Sequence, residues 1–109
     1  MKYTKQYFID KFQAIPSQEW CEGELTNEFD ENCHCALGHC GVINYKATTD
    51  EAYELSKLLM PVYDKLFDEE FTQPCNFHTF EINDESSSLG DTPKQRILNA
   101  LNLVPNETP

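Results

Sequence analysis

The sequence is short of basic residues. Eight Lys and Arg stand against nineteen Asp and Glu, a formal charge of −11 at pH 7. After Lys2, Lys5 and Lys11 no base occurs until Lys46, and Glu19, Glu22, Glu24, Glu28, Asp30 and Glu31 fill the gap. Such a field repels DNA and RNA phosphates, so direct nucleic-acid binding is not expected. Long apolar runs are missing as well. No stretch approaches the roughly 20 residues of a membrane span, and Met1-Lys2-Tyr3-Thr4-Lys5 lacks the apolar core of a signal peptide. The five cysteines are an odd number, and without an export signal reduced thiols in a cytoplasm are the expectation. Also absent are an internal repeat and the paired Cys-x-x-Cys knuckle that would point firmly to zinc.

What is present suits one folded domain. The chain has 109 residues, 39% of them hydrophobic, with seven Phe, five Tyr and one Trp. That supports a single modest core and argues against disorder. The expected globule spans 1–104, with a frayed tail at 105–109.

Periodicity and capping residues place most of the elements. Thr4 is a natural cap for a helix to about Ile15, with Phe8, Phe12 and Ile15 at helical spacing and Pro16 as its stop. A short turn can follow from Ser17, ahead of Trp20, the largest apolar anchor. Residues 22–32 are acidic and polar, a loop or weak hairpin carrying Leu25 and Phe29. Asn32 can cap a short helix from Cys33, with Gly41 to end it. Thr48 and Glu51 have capping-box spacing before Ala52, Leu55, Leu59, Val62 and Leu66. Pro61 inside that run predicts a kink or break near Met60. Phe77 to Asn83 reads as a strand with His78, Phe80 and Ile82 on one side. Thr92, Pro93 and Gln95 open a last helix that buries Ile97, Leu98, Leu101 and Val104. The expected fold is mainly α, with a minor β part: a compact bundle of about four helices with one or two short strands. Its predicted core is Phe8, Phe12, Trp20, Leu37, Leu55, Leu59, Val62, Phe80, Ile97 and Leu101.

Four segments together form a pattern. Trp20-Cys21-Glu22-Gly23 is followed by Cys35-Ala36-Leu37-Gly38-His39-Cys40-Gly41, then Ile82-Asn83-Asp84, then Thr92 to Leu101 with Arg96-Ile97-Leu98 inside. The combination resembles a family of small proteins from bacteriophages and bacteria that carry no assigned reaction. The resemblance covers about residues 1–104 and implies a phage or prophage-like origin and action in a bacterial cytoplasm. The acidic insert and Pro74-Cys75-Asn76-Phe77-His78 depart from the pattern.

Three chemistries compete. Cys35 and His39, four apart, with Cys75 and His78, three apart, supply ligand types for a tetrahedral zinc site, with Cys21 or Cys33 as substitutes. Zinc is therefore the one cofactor the residues suggest, in a metal-stabilised regulatory or assembly module. The plainer reading makes Cys33 and Cys40 small buried hydrophobes, puts the histidines on the surface and leaves no cofactor. A thiol enzyme would need Cys33 or Cys35 early in a helix, with His78 and Asn83 or Asp84; Asn83-Asp84 is equally well explained as a turn, and catalysis is not expected. The third reading needs no site chemistry. Glu22, Glu24, Glu28, Phe29, Asp30 and Glu31 offer carboxylates around an aromatic anchor to a basic host protein, such as a nucleic-acid-handling defence enzyme. Residues 68–70 add a second acidic run, and a self-associating phage factor is the competing version.

Overall fold

The computed structural model describes residues 3–21, 26–27, 30–42, 48–85 and 88–105, with backbone alone at 26–27, 30–33 and 85. Local caps fix three helices. Helix α1 (Lys5–Gln13) starts where the Thr4 hydroxyl accepts the Tyr7 N–H, and it buries Phe8 and Phe12. Helix α3 (Asp50–Phe67) starts at Thr49, whose hydroxyl accepts the Ala52 N–H at 3.1 Å and donates to the Cys40 carbonyl at 2.7 Å. Helix α5 (Pro93–Leu103) starts at Thr92 with Pro93 in its first turn. Such a cap is worth about 1 kcal/mol, because it satisfies N–H groups that have no partner within the helix. Between α1 and α3 lie a 3-10 turn (Ser17–Glu19), a two-stranded antiparallel pair of β1 (Thr26–Asn27) and β2 (Asp30–His34), and the short helix α2 (Ala36–His39). Helix α4 (Asn76–Glu85) packs against α3 and α5, and α5 also covers α1.

The mainly helical fold is as expected, with the polar segment around residue 30 forming the weak hairpin. Nine of the ten expected core residues are buried, and Phe80 packs half-buried against that core. Cys35, Cys40, Val42, Ile82 and Ala100 join them. None of the described helices is long and apolar enough to cross a membrane.

Four expectations need correction. The segment 77–83 is helical, not a strand. Its buried residues are His78, Thr79, Ile82 and Asn83, which repeat at helical spacing, but three of the four are polar and hide that face from a hydrophobicity pattern. Residues 33 and 34 belong to β2, so α2 begins at Ala36; its first N–H is held by the distant Asn83 side chain rather than by Asn32. The cap of α3 is Thr49 instead of Thr48, and the Glu51 carboxylate is bound by Lys11 and Tyr7 (2.6 Å each). Helix α3 continues through Pro61 to Phe67, and Leu66 is exposed. Pro61 costs that helix one hydrogen bond, and the carbonyl it leaves belongs to exposed Lys57, where water can serve it.

Candidate functional site

The four pattern segments converge inside the fold, and Asn83 is the knot. Its Oδ1 accepts the Ala36 N–H at 3.1 Å, and its Nδ2 donates to the Cys21 carbonyl at 3.0 Å and to Asp84 Oδ1 at 2.7 Å. Arg96, also buried, donates from Nε to the Asn83 carbonyl at 3.0 Å and from Nη1 to the Gly90 carbonyl at 3.3 Å. Gly90 has to be glycine, since a Cβ there would lie 2.7 Å from Gln95 Cβ. One amide thereby joins the chain after Trp20, the start of α2 and the end of α4, and one guanidinium ties α5 to them. Buried polar groups that are this fully paired rigidify a small core. The arrangement spends Asn83 on architecture, not on chemistry.

The histidine of α2 is spent in the same way. His39 packs its ring on Trp20 (4.9 Å between centroids) and on His34 (5.1 Å). Its Nε2 lies 2.9 Å from the Glu19 carbonyl, which only accepts, so the ring proton sits on Nε2. Burial pushes the His39 pKa down to about 4, keeping the ring neutral at pH 7. Cys35 and Cys40 are buried, and burial raises both thiols above their ordinary value. A Cys35 nucleophile paired with His78 is therefore not what the fold assembles.

His78 belongs instead to Cys75, the residue immediately before α4. His78 Nδ1 lies 3.2 Å from both the N–H and the carbonyl oxygen of Cys75, and 3.8 Å from Cys75 Sγ. His78 thus closes back on the residue ahead of the helix, at the spacing of a capping box. The Cys-x-x-His spacing carried that signal, which a strand reading of 77–83 concealed. Cys75 is exposed, while His78, expected at the surface, is fully buried among Tyr63, Phe71 and Phe77.

The proposed zinc ligands Cys35, His39, Cys75 and His78 are split between α2 and the start of α4. Among the described residues no group of three or more His, Cys, Asp or Glu side chains could hold a metal ion. Of the expected partner-binding residues, Glu22, Glu24, Glu28 and Phe29 lie outside the described residues, and Asp30 and Glu31 are placed by their backbone in β2.

Two surface features have no counterpart in that list. Tyr63 of α3 is buried and carries two exposed rings: Phe67 stacks on it at 4.6 Å and Phe77 meets it edge-on at 5.4 Å. Phe67 and Phe77 are 38% and 41% exposed, and the exposed acids Asp68, Glu69 and Glu70 follow Phe67 directly. Asp68 ends α3 in the left-handed conformation (φ 55°), and the chain turns back so that the Phe71 N–H reaches Asp64 Oδ2 at 3.1 Å. The second feature is an open apolar groove of about 580 Å³ between α3 and the end of α5, lined by Pro61, Val62, Lys65, Leu66, Leu103 and Pro105. No protein-family model matches the chain, and neither a curated protein nor a solved structure does.

Proposed function

We propose that the protein is a small acidic binding module of phage type, which engages a basic host protein and modulates or inhibits it. A nucleic-acid-handling defence enzyme suits the role, because its cleft is built to hold phosphates. The observation that carries the reading is the pair of exposed rings, Phe67 and Phe77, beside three exposed carboxylates at 68–70. Aromatic anchors give a contact its apolar centre, and surrounding charge selects and steers the partner. Arg and Lys of a partner can also stack on such rings. The acids Glu22, Glu24, Glu28, Asp30 and Glu31, with Phe29 among them in the sequence, add further negative charge for such a partner.

The test is recovery of a partner from a bacterial lysate by the wild-type chain and by a chain with those five acids neutralised. The expected outcome is capture of a basic protein by the wild type, weakening as salt rises because exposed charges screen over about 8–10 Å, and its loss from the neutralised chain. Equal recovery by both would leave that run as a solubilising face. The groove at Leu66 and Leu103 favours a second reading, self-association as a phage assembly or regulatory factor. Light scattering of the purified chain separates the two, since only the second predicts an oligomer without host protein.

A further inference from the structure

We propose that the groove between α3 and the end of α5 binds a single-chain carboxylate, an amphiphile of the fatty-acid class, with its hydrocarbon along the groove and its headgroup on Lys65. The proposal uses none of the residues on which host binding rests, and it competes with self-association for the same groove.

The groove has the size of a small-ligand site. It holds about 580 Å³, inside the roughly 300–1,000 Å³ of sites that take small organic molecules. Six residues line it, whereas a stable protein interface takes about 20–30 residues from each partner. By itself the groove is therefore too small to hold a second copy, and it is large enough for a chain of about ten carbons. The four residues after Pro105, Asn106-Glu107-Thr108-Pro109, bring no Leu, Ile, Val, Met or aromatic side chain to lay into it.

Its chemistry is two-ended. Val62 is buried, while Leu66 and Leu103 are 40% and 58% exposed, so two aliphatic side chains meet water until something covers them. Among the lining residues Lys65 alone is charged, and no acid stands beside it in the lining. Other described cations are committed: Lys11 to Glu51, Lys94 to the Gln13 carbonyl, and Arg96 to the carbonyls of Asn83 and Gly90. Exposed Lys65 has no hydrogen bond or ion pair among the described residues, and its chain neighbour Asp64 is bound to the Phe71 N–H at 3.1 Å. Lys57 stands two turns earlier on α3, also exposed. The Lys5 ammonium reaches the Val104 carbonyl at 2.7 Å, between the lining residues Leu103 and Pro105. On a chain of net charge −11 this is a local reversal of sign. An apolar trough with an ammonium at its exposed edge is complementary to hydrocarbon at one end of a ligand and to a carboxylate at the other.

The experiment titrates the full chain calorimetrically with decanoate, decan-1-ol and decyltrimethylammonium, each below its micellar concentration, and locates the site by amide chemical shifts. Expected are a one-to-one decanoate complex with shifts centred on Lys65, Leu66 and Leu103. Affinity should rise about two- to fourfold per methylene from octanoate to dodecanoate, the range for a partly to fully buried CH₂. The net charge of the chain alone favours the cationic amphiphile, so decanoate binding more tightly than both other probes is the result specific to the groove. Lys65→Gln should weaken decanoate by about two- to fivefold and leave decan-1-ol unchanged. Leu103→Glu changes an exposed position and should remove decanoate binding at unchanged melting temperature. Absence of decanoate binding, tightest binding of decyltrimethylammonium, or shifts centred away from the groove would overturn the proposal. So would a wild-type dimer that Leu103→Glu converts to monomer in light scattering, since the groove would then belong to a second copy. Binding to anionic phospholipid vesicles without binding to monomeric decanoate would replace the free amphiphile by a membrane surface.

Discussion

Cys35 with His39 and Cys75 with His78 use the same two residue types at nearly the same spacing, yet the fold treats them oppositely. At α2 the thiol is buried, the Cys35 carbonyl accepts the His39 N–H at 3.0 Å, and the imidazole is committed to Glu19. At α4 the thiol is open to solvent and the imidazole sets its Nδ1 against the Cys75 backbone, 3.8 Å from the sulfur. The difference comes from what lies over each pair. Helix α2 is packed by α4 and α5, whereas Cys75 sits exposed in the turn between α3 and α4. Spacing supplies the chemistry's parts, and tertiary cover decides whether they remain usable.

The largest expected effects belong to the buried region. Trp20 lies between the rings of Phe12 and His39 and is 6% exposed, so Trp20→Ala should cost about 3–5 kcal/mol. That is a large share of a typical total of about 5–15 kcal/mol. Asn83→Ala should follow at about 2–4 kcal/mol, since it leaves the buried Ala36 N–H and Cys21 carbonyl without their partner. By contrast, Cys75→Ser at the open pair should change stability by no more than about 0.5 kcal/mol. Urea denaturation of the three variants checks the ranking. An Asn83→Ala midpoint as high as that of Cys75→Ser would erase the distinction between a structural and an available region.

Legibility from sequence follows the same division. Helices α1 and α5 were readable because Thr4, Thr92 and Pro93 announce their starts and their inner faces are apolar. The aromatic and aliphatic core followed from spacing alone. What escaped was polar and buried: His78, Thr79, Asn83 and Arg96 pack inward, and no hydrophobic pattern can show that. Their partners are distant carbonyls and N–H groups, 47 residues away for Asn83 and Ala36. The start of α2 was misplaced for that reason, since its cap comes from another helix. The pattern Trp-Cys, Cys-Ala-Leu-Gly, Asn-Asp and Thr-Pro-x-x-Arg was visible, but its meaning as one knot of hydrogen bonds needed the fold. The exposed rings on Tyr63 escape the sequence because Phe67 and Phe77 are ten residues apart and share Tyr63 only once α4 is a helix.

Proton linkage offers a smaller test of the buried histidines. His39 is held near pKa 4, and His78 is also lowered by burial. The ordinary value in an unfolded chain is about 6.5. The folded state therefore binds fewer protons than the unfolded one between these values, and stability falls as pH drops from about 6.5 towards 4. The urea midpoint should fall between pH 7 and pH 5, above the range where carboxylates dominate. His39→Gln, which keeps an N–H for the Glu19 carbonyl, should show a shallower fall. The same slope in wild type and variant would assign the pH dependence to other groups.

The smallest effect on stability lies at the open surface, and its sign is informative. Asp68, Glu69 and Glu70 are exposed and stand at the C-terminal end of α3, where the helix dipole opposes negative charge. Asp68 also holds a left-handed conformation that Asn adopts as readily. Replacing the three with Asn, Gln and Gln should then raise stability, by about 0.3–1 kcal/mol. A loss would mean that the run makes a structural contact and is not a free face. If stability rises and capture of a basic partner weakens, the acids are kept at a cost to the fold because something else uses them. If stability rises and capture is untouched, the rings of Phe67 and Phe77 must work without their charged border, and the acids at 22–31 become the only electrostatic contribution left to test.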